Sequence, residues 1–191
     1  MSNEESSSAP ISGSGASLTV RRAMHWEAKA INRLLRDSMR TYGSLAGIRG
    51  DRLESLREGV PDIVRAMGDS VLLVAVNDNS KIVGTVRLYF HAPDRYPEAQ
   101  FLANREIPED CTVIYLTRFA VLQSDRGRGI GSHLIDEAER IARSEGVSHI
   151  LLHTALSNEA VAGFYQKRGF LIDSIDLSRG YPRALFYKPI T

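Results

Sequence analysis

The stretch SDRGRGIGSHL, Ser124–Leu134, places three glycines between an apolar segment and a segment with helical periodicity. The residues before it, TVIYLTRFAV at 112–121, predict a strand, and Leu134, Ile135 and Ala138 after it fall at helical spacing. Glycine at this density in front of a helix is typical of backbone that a ligand approaches closely. The stretch therefore predicts an α/β fold with a phosphate-binding turn, or else a turn that only joins the two elements.

Two common phosphate-binding fingerprints do not fit this stretch. The dinucleotide pattern G-x-G-x-x-G, started at Gly127, needs a glycine where the chain has Ser132, and an acid that the strand ending in LLHTA does not supply. The P-loop needs Gly-Lys followed by Ser or Thr, a triplet that the sequence lacks. The first amides of the predicted helix, its dipole and the side chains of Arg126 and Arg128 still favour an anion.

The length and the net charge of the chain predict a single domain and give no indication of nucleic-acid or membrane binding. A chain of 191 residues suits one well-buried domain, and its net charge of +1 gives no general attraction to nucleic acid or membranes. We therefore expect neither as a partner, and no apolar run approaches the roughly 20 residues of a membrane-spanning helix. Cys111 is the single cysteine, which excludes an internal disulfide and fits a reducing cytoplasm. Residues 1–16 predict a disordered leader before a domain at 17–191.

The order of the predicted elements is β-α-α-β-β-β-α-β-α-β-β, which indicates a single α/β domain with a mixed sheet. Residues 70–90 predict an antiparallel hairpin around the turn signal NDNS. Residues 41–50 contain three glycines and are predicted as a loop. The polar segment 91–110 predicts a long loop of the kind that covers a site.

Two motifs resemble those of the GNAT superfamily, the Gcn5-related N-acetyltransferases. The family's acyl-CoA-binding motif is Arg or Gln, two residues, Gly, one residue, and Gly or Ala. The matching residues here are Arg126, Gly129 and Gly131. A later family motif has Asn followed seven residues on by Tyr and then by Gly-Phe. The matching residues here are Asn158, Tyr165, Gly169 and Phe170. The similarity spans Leu18 to Pro189, nearly the whole predicted domain.

The resemblance implies a mixed, mostly antiparallel sheet with flanking helices and two splayed parallel central strands, TVIYLTRFAV and SHILLHTA. The pantetheine of acetyl-CoA would enter the gap and pair with the backbone of Phe119, Ala120 and Val121. The pyrophosphate would lie on the amides of a loop formed by Arg126, Gly127, Arg128, Gly129, Ile130, Gly131 and Ser132, of which Ile130 is also expected in the core. Asn158 and Tyr165 would complete the contacts with the cofactor.

The resemblance also implies direct acetyl transfer, without a metal, to a primary amine of a small molecule or peptide. A backbone amide at Val121 would stabilise the oxyanion, and Tyr165 would either protonate the leaving thiolate or pack on the cofactor. A non-catalytic CoA-binding module and an acyltransferase for longer acyl donors are the alternatives. Relatives that form homodimers make that state an expectation here too.

The general base is the point at which the chain departs from the family. Some members use a glutamate on the strand before the glycine loop, and YLTRFAV has no acid there. An alkyl amine with a pKa of about 10 is about one part in a thousand neutral at pH 7, so a proton acceptor is needed. The candidates are Glu109, Asp110, His91, His153 and an ordered water.

Overall fold

The computed structural model describes residues 18–92, 95–96, 99 and 111–191. These residues form strands and helices in the predicted order. The strands are β1 (Leu18–Arg22), β2 (Val71–Asn77), β3 (Ile82–His91), β4 (Val113–Val121), β5 (His149–Ala155), β6 (Leu171–Asp176) and β7 (Arg183–Pro189). The helices are α1 (Ala28–Ala46), α2 (Val60–Asp69), α3 (Ile130–Ser144) and α4 (Glu159–Lys167). The predicted leader, 1–16, and most of the predicted loop at 91–110 lie outside the described residues.

The strands form one mixed sheet in the order β1-β2-β3-β4-β5-β7-β6. Neighbouring strands are antiparallel, apart from the parallel pair β4 and β5. In the described chain, the pairing of β4 with β5 is confined to Val113–Tyr115 opposite His149–Leu151. Beyond that point, Leu116–Val121 and Leu152–Ala155 separate. The predicted splayed pair and the predicted fold class are confirmed.

The sheet is covered on both faces, which explains the uninterrupted apolar sequence of β2. Leu73 and Ala75 pack into the core cluster that holds α3 and α4, whereas Leu72 and Val74 pack with α1 and α2 on the other face. Alternate residues of a strand point to opposite faces, so a strand buried on both sides carries apolar residues at every position. No helix in the described ranges has the length and apolar character that a membrane crossing requires.

Helix α1 is longer than the sequence suggests, and the loop predicted at 41–50 is wrong as far as Ala46. Glycine inside a helix costs about 1 kcal/mol relative to alanine, which is why Gly43 indicated a loop. Here Gly43 is buried, and a Cβ on it would lie 2.9 Å from Cδ1 of Leu53. The close approach of Leu53 offsets the low helix propensity, and α1 ends only at Gly47, whose φ is +64°.

Candidate functional site

A cleft of about 1130 Å³ opens where β4 and β5 separate. Helix α1, the turn before α3 and the start of α4 complete its walls. The predicted site residues that line it are Phe119, Ala120, Val121, Arg126, Gly127, Gly129, Ile130, Gly131, Ser132, Asn158 and Tyr165. Arg128 lies outside this lining, because its side chain is 69% exposed and pairs with Asp125 at 3.5 Å. The fold therefore brings residues of β4, of the turn before α3 and of the start of α4 together in one cleft.

 

The turn before α3 holds its glycines in a backbone conformation that other residues rarely adopt. Gly127 and Gly129 have φ values of +77° and +78°, and Gly129 is the N-cap of α3. Apart from the glycine itself and its two chain neighbours, no described residue comes within 4 Å of a Cβ built on Gly127. For a Cβ built on Gly129, the nearest such atom is Nε2 of His133, at 3.9 Å. These two glycines satisfy the left-handed backbone and leave open space in front of the helix.

Gly131 has a different role, which the motif alone did not show. A Cβ at this position would lie 3.0 Å from Cζ of Phe119 and 3.4 Å from Cζ of Phe164. The two phenylalanine rings are stacked with their centroids 5.6 Å apart. The missing side chain therefore lets the start of α3 approach both β4 and α4, and it fixes the distance between the loop and the strand.

The start of α3 presents backbone donors. The amide of His133 donates to the carbonyl of Gly129 at 3.1 Å, which begins the helical ladder. The amides of Ile130, Gly131 and Ser132 precede that bond, as the first amides of any helix do. Together with the positive end of the helix dipole, they form a favourable place for an anion.

The end of β4 turns one peptide edge toward the cleft. The carbonyl of Val121 accepts from Oγ of Ser38 and from Nε of Arg126, each at 3.3 Å, while the amide of Leu122 donates to Val83 on β3 at 2.9 Å. In a regular strand, the N–H and C=O of one residue point to the same edge, and those of the next residue point to the opposite edge. Because the amide of Leu122 points to β3, both the amide and the carbonyl of Val121 point away from β3. This is the orientation that the predicted oxyanion donor needs.

Tyr42 of α1 contacts β5 on the other side of the gap. Its hydroxyl accepts from the backbone amide of Ala155 at 2.7 Å and lies 3.1 Å from Oγ1 of Thr154. In a continuous sheet, a neighbouring strand would supply such a partner to β5. The sequence did not indicate this residue, because the segment that carries it was predicted as a loop.

Tyr165 and Asn158 bring the second motif to the cleft. Tyr165 is 3% exposed and packs among the rings of Phe119, Phe164 and Phe170. Burial, and then the proximity of Tyr42, raise the pKa of the Tyr165 hydroxyl, so it keeps its proton at neutral pH. Asn158 caps α4 by accepting from the amide of Val161 at 3.3 Å, and it also lines the cleft.

The histidines proposed as bases both line the cleft. His153 shares a hydrogen bond of 3.0 Å between Nδ1 and the hydroxyl of Tyr115. Burial, and next the charge of Arg183, lower the pKa of His153 to about 4. His91 stacks on Tyr89 with ring centroids 5.7 Å apart, and its pKa is lowered by burial and then by Arg95. Both are therefore weak bases, and the other two candidates, at positions 109 and 110, lie outside the described residues.

The part of the cleft away from the glycine loop is rich in arginine, and we call it the arginine-rich end. Its charged residues are Arg52, Glu54, Glu58, Arg87, Arg95, Arg118, Arg179 and Arg183. Glu58 is bound by two of them, with Nη1 of Arg87 at 3.1 Å and Nη2 of Arg118 at 2.7 Å from its Oε1. Burial opposes ionisation of Glu58, but the hydrogen bonds and charges of these arginines prevail and lower its pKa.

Arg118 has a strained backbone, with φ at +54°. The left-handed conformation costs an ordinary residue about 1–2 kcal/mol. The strained residue lies in a β-bulge. Thr85 pairs with Ala120, and Arg87 pairs with Thr117. Between these two pairs, β4 has two residues and β3 has one. Sequence reasoning passed over both arginines, although each is the only Lys, Arg, Asp or Glu in its strand.

Comparison with known proteins identifies the family. The family model described as acetyltransferase (GNAT) family matches residues 31–170. The chain belongs to the GNAT family. The resemblance seen in the two sequence motifs is thereby confirmed, and the splayed strands and the glycine loop are parts of a GNAT fold.

Individual relatives match over part or most of the chain. A tRNA-acetylating toxin of Mycobacterium tuberculosis is 39% identical over 85 residues, which are 42% of this chain and 50% of the toxin. The match thus spans about half the length of that curated relative. The PaiA N-acetyltransferase of Thermoplasma acidophilum, solved with coenzyme A, has a TM-score of 0.70 at 21% identity over 90% of this chain and 98% of its own. Arabidopsis thaliana NAA60, solved with acetyl-CoA, has a TM-score of 0.71 at 20% identity over 91% and 98%.

Proposed function

We propose that this GNAT protein transfers an acetyl group from acetyl-CoA to a primary amine of a small molecule or peptide. The observation that carries the proposal is the gap between β4 and β5, which leads to the start of α3, where the first amides of a helix have no partner within the helix. An extended ligand with amide groups can pair along such an edge, and its phosphates can reach the helix terminus. Pantetheine linked to a pyrophosphate has this chemistry.

The donor would lie along the edge of β4. Phe119, Ala120 and Val121 would pair with the pantetheine, and the loop at 126–132 would hold the pyrophosphate through its backbone. Gly127 and Gly129 support this placement, because they leave open space in front of the amides. Two proteins of the same fold were solved with coenzyme A or acetyl-CoA, which supports a CoA-type donor by analogy.

The acceptor amine would attack the thioester carbonyl directly. The amide of Val121 would stabilise the negative charge that grows on the carbonyl oxygen, and one such donor is typically worth about 3 kcal/mol. The buried, protonated hydroxyl of Tyr165 would donate to the departing sulfur. Because His91 and His153 have lowered pKa values, we propose that an ordered water relays the proton of the amine to bulk solvent.

A charge-reversal variant tests the donor site. Gly129→Glu places a carboxylate before the helix amides, where it would repel a pyrophosphate, so we expect the variant to lose binding of CoA. Gly146→Glu is the matched control, since Gly146 has a φ of +64° and open space but lies at the far end of α3. Calorimetric titration with CoA gives the affinities.

Three outcomes of the titration distinguish a binding site at Gly129 from a general effect of backbone strain. Loss of affinity in Gly129→Glu with wild-type affinity in Gly146→Glu supports the assignment. Unchanged affinity in Gly129→Glu would refute it, whereas equal loss in both variants would attribute the effect to backbone strain.

The alternatives are separated by turnover. Release of CoA in the presence of a panel of amines, with acetyl-CoA and longer acyl-CoA donors, distinguishes an acetyltransferase from an acyltransferase for longer chains. The panel includes tRNA, because one relative is a tRNA-acetylating toxin. Tight binding of CoA with no turnover on any amine would favour a non-catalytic CoA-binding module. The cytoplasmic location and the homodimer stay predictions from the sequence.

A further inference from the structure

The arginine-rich end carries a concentrated positive charge that the net charge of the chain conceals. Its described lining holds six arginines and two glutamates, whereas the whole chain has a net charge of only +1. Asp176 pairs with Arg183 at 2.5 Å from outside this lining and offsets one further charge. A cleft lined mainly by one sign of charge attracts ligands of the other sign.

One carboxylate holds two guanidinium groups at the floor of this region. Arg87 binds both oxygens of Glu58, at 3.1 and 3.2 Å, and Arg118 binds Oε1 through Nε at 2.9 Å. A single negative charge cannot neutralise both cations. Nε of Arg87 is buried and has no hydrogen-bond partner among the described residues. The cluster therefore keeps a net positive charge and unused donor capacity.

Arg118 is the member of this cluster that a ligand can reach. Its side chain is 22% exposed and lines the cleft, whereas that of Arg87 is 3% exposed. The bulge in β4 and the strained φ of Arg118 turn this residue out of the regular strand pattern. Backbone strain of this kind persists where the surroundings hold it and is often found at ligand sites.

We infer that the arginine-rich end binds an anionic group of the acceptor, a carboxylate or a phosphonate carried on the same molecule as the amine, and that Arg118 contacts it. This inference rests on the proposed function, because it assigns the acceptor to the end of the cleft opposite the glycine loop. The half-buried position of Arg118, beside a buried Arg87, suits a small anionic group. The lowered pKa values of both cleft histidines, caused by burial and then by arginines, are consistent with the same positive field.

Matched acceptors test the inference by binding, without turnover. The protein saturated with CoA is titrated calorimetrically with ω-amino carboxylates of three to six carbons, their carboxamides, the matching aminoalkylphosphonates and the matching diamines. We expect at least one carboxylate or phosphonate to bind about tenfold to a hundredfold more tightly than its carboxamide, as expected for hydrogen bonds to a charged group. Which of the two anions binds more tightly identifies the headgroup.

Three variants assign the effect to one side chain. Arg118→Gln should remove the preference for the anion, Arg118→Lys should restore part of it, and Arg140→Gln, which changes an exposed arginine on α3, should leave it intact. Equal affinity for the anion and its carboxamide, tighter binding of the diamine, or an unchanged preference in Arg118→Gln would overturn the inference. Failure of the wild-type protein to bind CoA would instead overturn the proposed function.

Discussion

Acidification should destabilise this protein through His153, and the size of the effect follows from its surroundings. Burial and Arg183 lower the pKa of His153 to about 4 in the folded protein, against an ordinary value of 6.5. As the pH falls through 6.5, the unfolded chain takes up a proton that the folded chain does not. The contribution of the neutral His153 to the stability of the fold is therefore fully present above pH 6.5, and it is lost progressively as the pH falls toward 4.

The free energy of unfolding should fall by about 2 kcal/mol between pH 7 and pH 5. A pH of 5 lies about one and a half units below the pKa of the imidazole in the unfolded chain, and each unit is worth about 1.4 kcal/mol. Urea unfolding of the wild type and of His153→Gln at both pH values isolates this contribution. The wild type should lose about 2 kcal/mol more than the variant. An identical pH dependence in the two proteins would refute the reasoning, and an NMR titration of the imidazole would give the pKa directly.

Two further substitutions test the cleft. Tyr165→Phe should lower kcat by about tenfold to a hundredfold and leave the affinity for CoA near that of the wild type. The effect on kcat lies at the low end for general acid catalysis, because a thiolate leaves readily. Full turnover would assign Tyr165 to packing alone. Tyr42→Phe should lower the free energy of unfolding by about 1–3 kcal/mol, because the amide of Ala155 loses its buried partner; a urea midpoint equal to the wild type would show that water replaces the hydroxyl.

Sequence patterns predicted the order of the elements and the residues that line the cleft around the glycine loop, because both depend on local signals. Two glycines that need a positive φ, Gly127 and Gly129, lie two positions apart in the sequence, and helical periodicity marks the element that follows. The length of α1 was underestimated, because the packing of Leu53 against Gly43 involves residues from another segment. Helix propensity alone could not register that contact.

The arginine-rich end was not predicted, and the reason is physical. Glu58, Arg87 and Arg118 come from three separate segments, and their ion pairs exist only after the sheet and the connection between α1 and α2 have formed. The strained φ of Arg118 also has no local sequence signal, because it arises from a bulge between two strands. A lone arginine in each of two apolar strands was the available indication.

The separation of β4 from β5 gives this sheet two edges in its interior as well as two at its ends. Unpaired strand edges are sites at which a second chain can add and start aggregation. Tyr42 occupies one amide of the inner edge of β5, and Ser38 and Arg126 occupy a carbonyl at the inner edge of β4. Side chains thus protect part of the inner edges from the addition of a strand of another polypeptide.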